Sequence, residues 1–117
     1  MSDTMELRRG DVVIVRLDPA EGHEMNKTRP AVVVQNDIGN KNSNTTIVAP
    51  ATGTYRGYPF EVLVEAAESP LDRDSSMRLD QIRVVSIEKR IHSVTGNLDT
   101  ETMDAIDDAL KLSLGLD

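Results

Sequence analysis

Asp11-Val12-Val13-Ile14-Val15-Arg16-Leu17 is the stretch on which the fold turns. Its run of β-branched residues loses side-chain freedom in a helix and suits the pleated backbone of a strand. Asp18-Pro19 then stops it, because proline donates nothing to a ladder and breaks a helix interior. Working outward, Ala20 to Thr28 is polar, contains Gly22, shows no apolar periodicity, and reads as a loop. Ala31 to Gln35 (AVVVQ) is a near-continuous apolar run entered through Pro30, the pattern of a buried strand. Asn36 to Asn44, crowded with Asn, Asp, Ser and Gly, reads as a turn, and Thr45 to Ala51 as the next strand. Thr52 to Pro59 holds two glycines and predicts a hairpin loop ahead of a strand from Phe60 to Glu65. Ala66 to Ser76 is a connection with room for one helical turn, and Arg78 to Glu88 reads as one longer strand.

The period then changes. Met103, Ile106, Leu110 and Leu114 recur at three- and four-residue steps, one stripe of a helix. Asp99 is placed to cap it, and Glu101 suits the positive end of its dipole. Asp104, Asp108 and Lys111 fall on the outer side, Asp107 at the edge of the stripe, and Leu112 away from it. Five or six short strands and one terminal helix predict a mainly β fold with a C-terminal helix, curled into a small barrel.

Bulk properties bound the class. A chain of 117 residues is the size of one domain, residues 1–117, and no internal repeat or linker divides it. Aromatics are only 3%, so the core rests on Val, Ile, Leu, Ala and Met, and burying more of them between two copies makes a homodimer plausible. There is no cysteine, hence neither a disulfide nor a thiolate metal site. Met1 to Arg9 is polar, and no run approaches the ~18 apolar residues of a membrane span, so the expectation is a cytoplasmic protein without membrane contact. The net charge of −7 looks unpromising for a nucleic-acid partner, yet six acids and one base after Asn97 supply −5 of it. The first 96 residues hold 14 acids and 12 bases, leaving room for a local positive groove.

Several chemistries are disfavoured. His23 and His92 are the only histidines, no carboxylates are spaced for two metals, and Asp72 and Asp74 around Arg73 read as a solvated turn. Neither a phosphate-cradling glycine loop nor a nucleophile-elbow serine is present. The expectation is no metal and no cofactor. Two constellations remain. In Gly22-His23-Glu24-Met25-Asn26-Lys27-Thr28-Arg29-Pro30, the proline disfavours helical backbone at Arg29 and sets it extended at the mouth of a buried strand, where a guanidinium can clamp a phosphate. The same residues would also make an ordinary surface ion pair. In Thr52-Gly53-Thr54-Tyr55-Arg56-Gly57-Tyr58-Pro59-Phe60, all three aromatics of the chain fall within six positions. Phe60 suits the core, whereas Tyr55 and Tyr58 beside Arg56 suit either a plain hairpin or a surface on which unpaired bases stack.

These segments, in their order, resemble a known family. Arg9-Gly10-Asp11-Val12, Leu17-Asp18-Pro19, Gly22-x-Glu24, Arg29-Pro30-Ala31-Val32-Val33-Val34 and Gln35-Asn36-Asp37-Ile38-Gly39-Asn40 look like the MazF/PemK toxins. Gly57-Tyr58-Pro59-Phe60-Glu61-Val62, Asp80-Gln81-Ile82-Arg83 and the terminal helix continue the likeness over nearly the whole chain. The resemblance implies an SH3-like (CcdB/PemK-like) barrel, homodimeric, that cuts single-stranded RNA at short sequences and is neutralised by a MazE-like antitoxin. It implies Arg29 and Thr52 as catalytic residues, Glu24 as the loop glutamate and candidate base, and Gln81 where a base is read. Lys27, Thr54, Arg56, Tyr58, Asp80 and Arg83 complete the expected RNA-binding set. Position 23 is His here where many relatives carry Ser, which reads as replacement of a polar loop residue. The implied chemistry is attack by a ribose 2′-OH on its own phosphate, leaving a 2′,3′-cyclic phosphate and a 5′-OH. Because arginine stays protonated, Arg29 fits charge stabilisation better than proton abstraction. Two alternatives are a CcdB-like gyrase-poisoning toxin and a non-enzymatic SH3-like binding module. The first acts in its family through a Trp-containing tail that this chain lacks; the second leaves Arg29, Thr52 and Glu24 without a purpose.

Overall fold

A computed structural model describes residues 5–116; Met1 to Thr4 of the polar N-terminal stretch, and Asp117, lie outside it. Seven strands make one antiparallel sheet: β1 (Asp11–Arg16), β2 (Thr28–Val33), β3 (Thr45–Thr52), β4 (Glu61–Val64), β5 (Ser75–Arg78), β6 (Arg83–Ser86) and β7 (Ile91–Asn97). Among the described residues three helices accompany them, α1 (Asp37–Asn42), α2 (Ile87–Arg90) and α3 (Thr100–Leu114), with a single 3-10 turn at Ala66–Glu68. The spatial order is β4-β5-β3-β2-β1-β7, and β6 also pairs with β3. Among the described residues no ladder joins β4 to β7, so the mainly β fold with its terminal helix is a curled, open barrel.

Strand β3 holds this arrangement together. One edge runs along β2, from Val33 opposite Val48 to Ala31 opposite Pro50. The other edge changes partner: Thr45 to Val48 pair with β6, and Ala51 and Thr52 pair with β5. Pro50 lies in the gap between those two ladders, a position that tolerates a residue without an N–H.

The central strands are buried on both faces, which explains their unbroken apolar runs. Val12, Val32, Ala49 and Ala51 pack with Met77, Leu79, Ile106 and Ala109 under α3. Their neighbours Val13, Val15, Ala31, Val33 and Val48 point the other way, into a second cluster with Leu17, Val85, Ile87 and Ile91. The period of two thus splits one run between two cores. Each fully buried valine contributes about 1.5–3 kcal/mol relative to an exposed one.

Four departures from the sequence reading have local causes. The polar stretch after Gln35 is a helix, α1, because its polar side chains satisfy one another. Asn36 caps it by accepting from the Gly39 N–H (2.8 Å), and the buried Asn40 accepts from the Thr46 hydroxyl (2.6 Å) and donates to the Gln35 carbonyl (3.0 Å). The single strand expected from Arg78 to Glu88 is broken: the Gln81 N–H turns back to the Arg78 carbonyl (3.1 Å), β6 follows, and Ser86 caps α2 by accepting from Lys89. Strand β7 is mostly exposed, so it carries no apolar alternation, and pairing with β1 holds it in place. In α3, Asp99 caps by accepting from the Thr102 N–H (2.8 Å), and that bond holds its carboxyl below the usual range. Met103, Ile106 and Leu110 pack inward as the stripe predicts, whereas Leu114 stays 51% exposed beside the left-handed Gly115 that ends the helix. Asp107, at the stripe's edge, pairs with Arg9 (2.7 Å).

Candidate active site

The loop between β1 and β2 delivers Arg29. It closes where the Leu17 N–H donates to the Lys27 carbonyl (2.8 Å), and Lys27 itself sits at φ +70°. A left-handed conformation costs a residue other than glycine about 1–2 kcal/mol, a strain of the kind that gathers at functional sites. Two residues on, Arg29 lies in β2 opposite Val15 and is half-buried. Its Nε donates to the Asn26 carbonyl (2.7 Å) and its Nη1 to the Ala51 carbonyl (3.4 Å). Two backbone carbonyls therefore aim the guanidinium without neutralising it, and its Nη2 edge stays available to an anion.

Arg29 borders a groove of about 490 Å³, walled also by Lys27, Thr52, Gly53, Asp72 and Arg73. Thr52 ends β3, opposite Ser76 of β5. Three cations and one carboxylate thus line the groove of a chain whose formal charge is −7, so acidity as a whole coexists with a local positive site. The far wall is set by close packing. Gly96 of β7, at φ +153°, lies against Pro70, and a Cβ there would come 2.7 Å from the Pro70 Cβ. Pro70 and Thr95 both face the groove.

A second recess, about 220 Å³, is lined by Glu24, Met25, Pro50, Asp80, Gln81 and Arg83. Glu24 belongs to this recess rather than to the Arg29 groove, and its carboxylate accepts from the Glu21 N–H (2.7 Å). The Gln81 side chain reaches the loop backbone, its Oε1 accepting from the Met25 N–H (3.1 Å) and its Nε2 donating to the His23 carbonyl (3.4 Å). Arg83 donates to the Leu17 carbonyl (2.9 Å), tying the same loop at its root. His23 itself is exposed and lines neither cavity.

The third group sits on the loop from Gly53 to Phe60. Thr54, Tyr55, Arg56 and Tyr58 are exposed. Phe60 stacks on Tyr58 (5.2 Å between centroids, 19° between planes), and the Arg78 guanidinium lies over the other ring (5.7 Å to the Phe60 centroid). Asp80 grips Arg78 through both oxygens (2.8 and 2.6 Å). Beneath the loop Glu61 is 7% exposed, accepting from the Ser76 hydroxyl (2.6 Å) and the N–H groups of Arg56 (3.3 Å) and Tyr58 (3.4 Å). Burial alone would push this carboxyl up; the three hydrogen bonds and the nearby Arg78 charge outweigh it and hold the group below its usual value.

The structure therefore brings Lys27, Arg29 and Thr52 together, places Glu24, Asp80, Gln81 and Arg83 around a separate recess, and leaves Thr54, Arg56 and Tyr58 on the hairpin. Asp72 and Arg73, read as a solvated turn, are exposed bend residues as expected, but they also wall the groove, a role that sequence reasoning did not give them, while Asp74 accepts from the Ala66 N–H (2.8 Å). Sequence reasoning also gave no role to Glu61, whose buried, hydrogen-bonded state no single-residue signal announces. Among the described residues, no three His, Asp or Glu side chains gather as a metal site, and no helix is long and apolar enough to cross a membrane. A fixed guanidinium, a lysine and a hydroxyl around an open groove can hold a phosphodiester and stabilise charge developing on it.

Comparisons with known proteins agree with this architecture. The chain is 40% identical over 114 residues to Endoribonuclease EndoA of Bacillus subtilis (strain 168), covering 96% of this chain and 97% of that protein. It shares its fold with MazF from Deinococcus radiodurans (TM-score 0.81, 22% identity, 96% of this chain and 99% of that one). It likewise shares it with an endoribonuclease in complex with its cognate antitoxin from a mycobacterial species (TM-score 0.80, 23% identity, 95% and 97% covered). The model of the PemK-like, MazF-like toxins matches residues 8–114. Barrel, groove and likeness converge: this chain belongs to the PemK-like, MazF-like toxin family of type II toxin–antitoxin systems.

Proposed function

We propose that this chain is an endoribonuclease toxin, a single domain over residues 1–117, that cuts single-stranded RNA, chiefly mRNA, at a short sequence and without a metal. The observation that carries the reading is the Arg29 guanidinium, aimed by two carbonyls into a cationic groove that it shares with Thr52. Kinship with a protein named as an endoribonuclease supports it.

In this mechanism a ribose 2′-oxygen attacks the adjacent phosphorus and the 5′-oxygen of the next nucleotide leaves with a proton donated by Arg29, which solvent then restores, giving a 2′,3′-cyclic phosphate and a 5′-hydroxyl. Arg29 and Lys27 stabilise the extra negative charge on the phosphorane oxygens, and Thr52 hydrogen-bonds the phosphate. The 2′-OH proton passes to a carboxylate; the candidates are Asp72 in the groove wall and Glu24 in the separate recess. Flanking bases meet Thr54, Arg56 and Tyr58 on one side and Asp80, Gln81 and Arg83 on the other. The toxin works as a cytoplasmic homodimer and is silenced by a MazE-like antitoxin. A structural neighbour solved with its cognate antitoxin supports that last assignment.

Incubation of the purified protein with a mixed RNA pool in EDTA tests the reading. Cleavage is expected, with 5′ ends that a kinase labels directly. Products that need phosphatase treatment first, or an intact pool, would sink it, and the intact pool would reopen the binding-module and gyrase-poison alternatives.

A further inference from the structure

We propose that Glu61 is a positioning residue: from beneath the Gly53–Phe60 loop its carboxylate gathers the Ser76 hydroxyl and the Arg56 and Tyr58 N–H groups, holding the Tyr58 ring out as a stacking surface for an unpaired RNA base. This rests on the function proposed above.

The loop has little else to order it. Gly53 to Pro59 are all exposed, and Gly57 adopts φ +77°, so the backbone is free to roam unless something fixes it. The Phe60 and Tyr58 rings pack on each other, and Arg78 lies over Phe60 at the end of the loop. A carboxylate suits the task because two oxygens accept several donors at once. Oε2 takes the Ser76 hydroxyl and the Arg56 N–H, Oε1 takes the Tyr58 N–H, and the Glu61 N–H returns a bond to the Tyr58 carbonyl (2.9 Å). A buried carboxylate without these partners would be strongly unfavourable, so the charge and the loop conformation hold each other in place.

The geometry also says what the pinned loop offers. Phe60 contacts both the Arg78 guanidinium, which Asp80 holds, and the Tyr58 ring, and Tyr58 remains 48% exposed. An aromatic face supported from behind accepts a base with little ordering cost of its own. The pin is anchored at the reaction centre as well, since Ser76 is the register partner of Thr52 on one side and of Leu63 on the other. The loop leaves β3 just after Thr52 and returns to β4 at Glu61, so its shape sets where a base falls relative to the reacting phosphate.

The test compares the parent with Glu61→Gln, which keeps the volume but loses the charge and one acceptor oxygen. Amide hydrogen exchange should accelerate at Arg56 and Tyr58 while β1 amides stay protected. KM for single-stranded RNA and Kd for an uncleavable 2′-O-methyl RNA pool should both rise about tenfold, a partial loss of one base-stacking contact. With only binding removed, kcat should stay within about twofold. Tyr58→Ala should cost clearly less affinity in the Glu61→Gln background than in the parent, because the two act through one contact. Should Glu61→Gln fail to fold, Ser76→Ala removes a single donor and should move the same readouts in the same direction. Unchanged exchange at Arg56 and Tyr58, unchanged Kd, or affinity losses that add would each overturn the proposal. If the parent itself leaves RNA intact, the enzymatic reading falls, while exchange and the 2′-O-methyl affinity still decide the role of Glu61.

Discussion

Two loops flank the groove, and they are held by opposite means. The loop from Asp18 to Lys27 is held by its carbonyls, which accept from the guanidinium groups of Arg16 and Arg90 (at Asp18) and Arg29 (at Asn26), while its tip at His23 and Met25 is tethered only by the neutral Gln81 amide and a strained Lys27 closes its end. The loop from Gly53 to Phe60 is pinned by a buried carboxylate. Releasing the tip of the first from Gln81 exposes ordinary amides to water at small cost. Releasing the second gives up two charge-assisted hydrogen bonds and undoes an aromatic stack. The first loop is thus the displaceable wall and the second the fixed one. A partner that blocks the groove meets least resistance on the Arg29 side.

The sharpest break in that contrast is at Arg29, the fixed end of the displaceable loop. Arg29→Ala removes a preorganised donor and should lower the cleavage rate by about 10²–10³-fold. An unchanged melting curve is expected alongside, since the side chain lines a groove and fills no core; parental rates in a folded variant would refute its role.

A pair of substitutions measures the contrast itself. Glu61→Ala strips three donors of a buried partner and should cost about 2–3 kcal/mol in denaturant unfolding. Gln81→Ala undoes only neutral, half-exposed bonds and should cost about 1 kcal/mol or less, with faster amide exchange at Met25. Equal costs would erase the distinction between the two loops.

The smallest effect is at Lys27. Lys27→Gly relieves the left-handed backbone and should leave stability unchanged or raised by up to about 1 kcal/mol. The lost cation should meanwhile weaken RNA binding and reduce its salt slope by about one. Clear destabilisation would mean that the lysine side chain, rather than its backbone, holds the loop.

How much of this was legible in the sequence follows from where each signal is stored. β1, β2, β3 and α3 were readable because double-sided burial and the 3.6 period are written in consecutive residues, as was the Asp99 cap. α1 was not, since Asn36 and Asn40 favour turns until Gln35 and Thr46 satisfy them. β7 was silent because its order comes from β1. At the site, the proline after Arg29 forced an extended backbone, and that local rule placed the guanidinium. Arg73 and Glu61 depend on what stands opposite them across the groove or under the hairpin, which no window of sequence contains.

The contact between Gly96 and Pro70 acts as a gauge. Pro70 begins the wall that carries Asp72 and Arg73, and β7 braces it from behind with no side chain between. One added methyl at position 96 would force that wall to move, and with it Asp72 and Arg73. The width of the groove is therefore set in part from a position that does not itself line it.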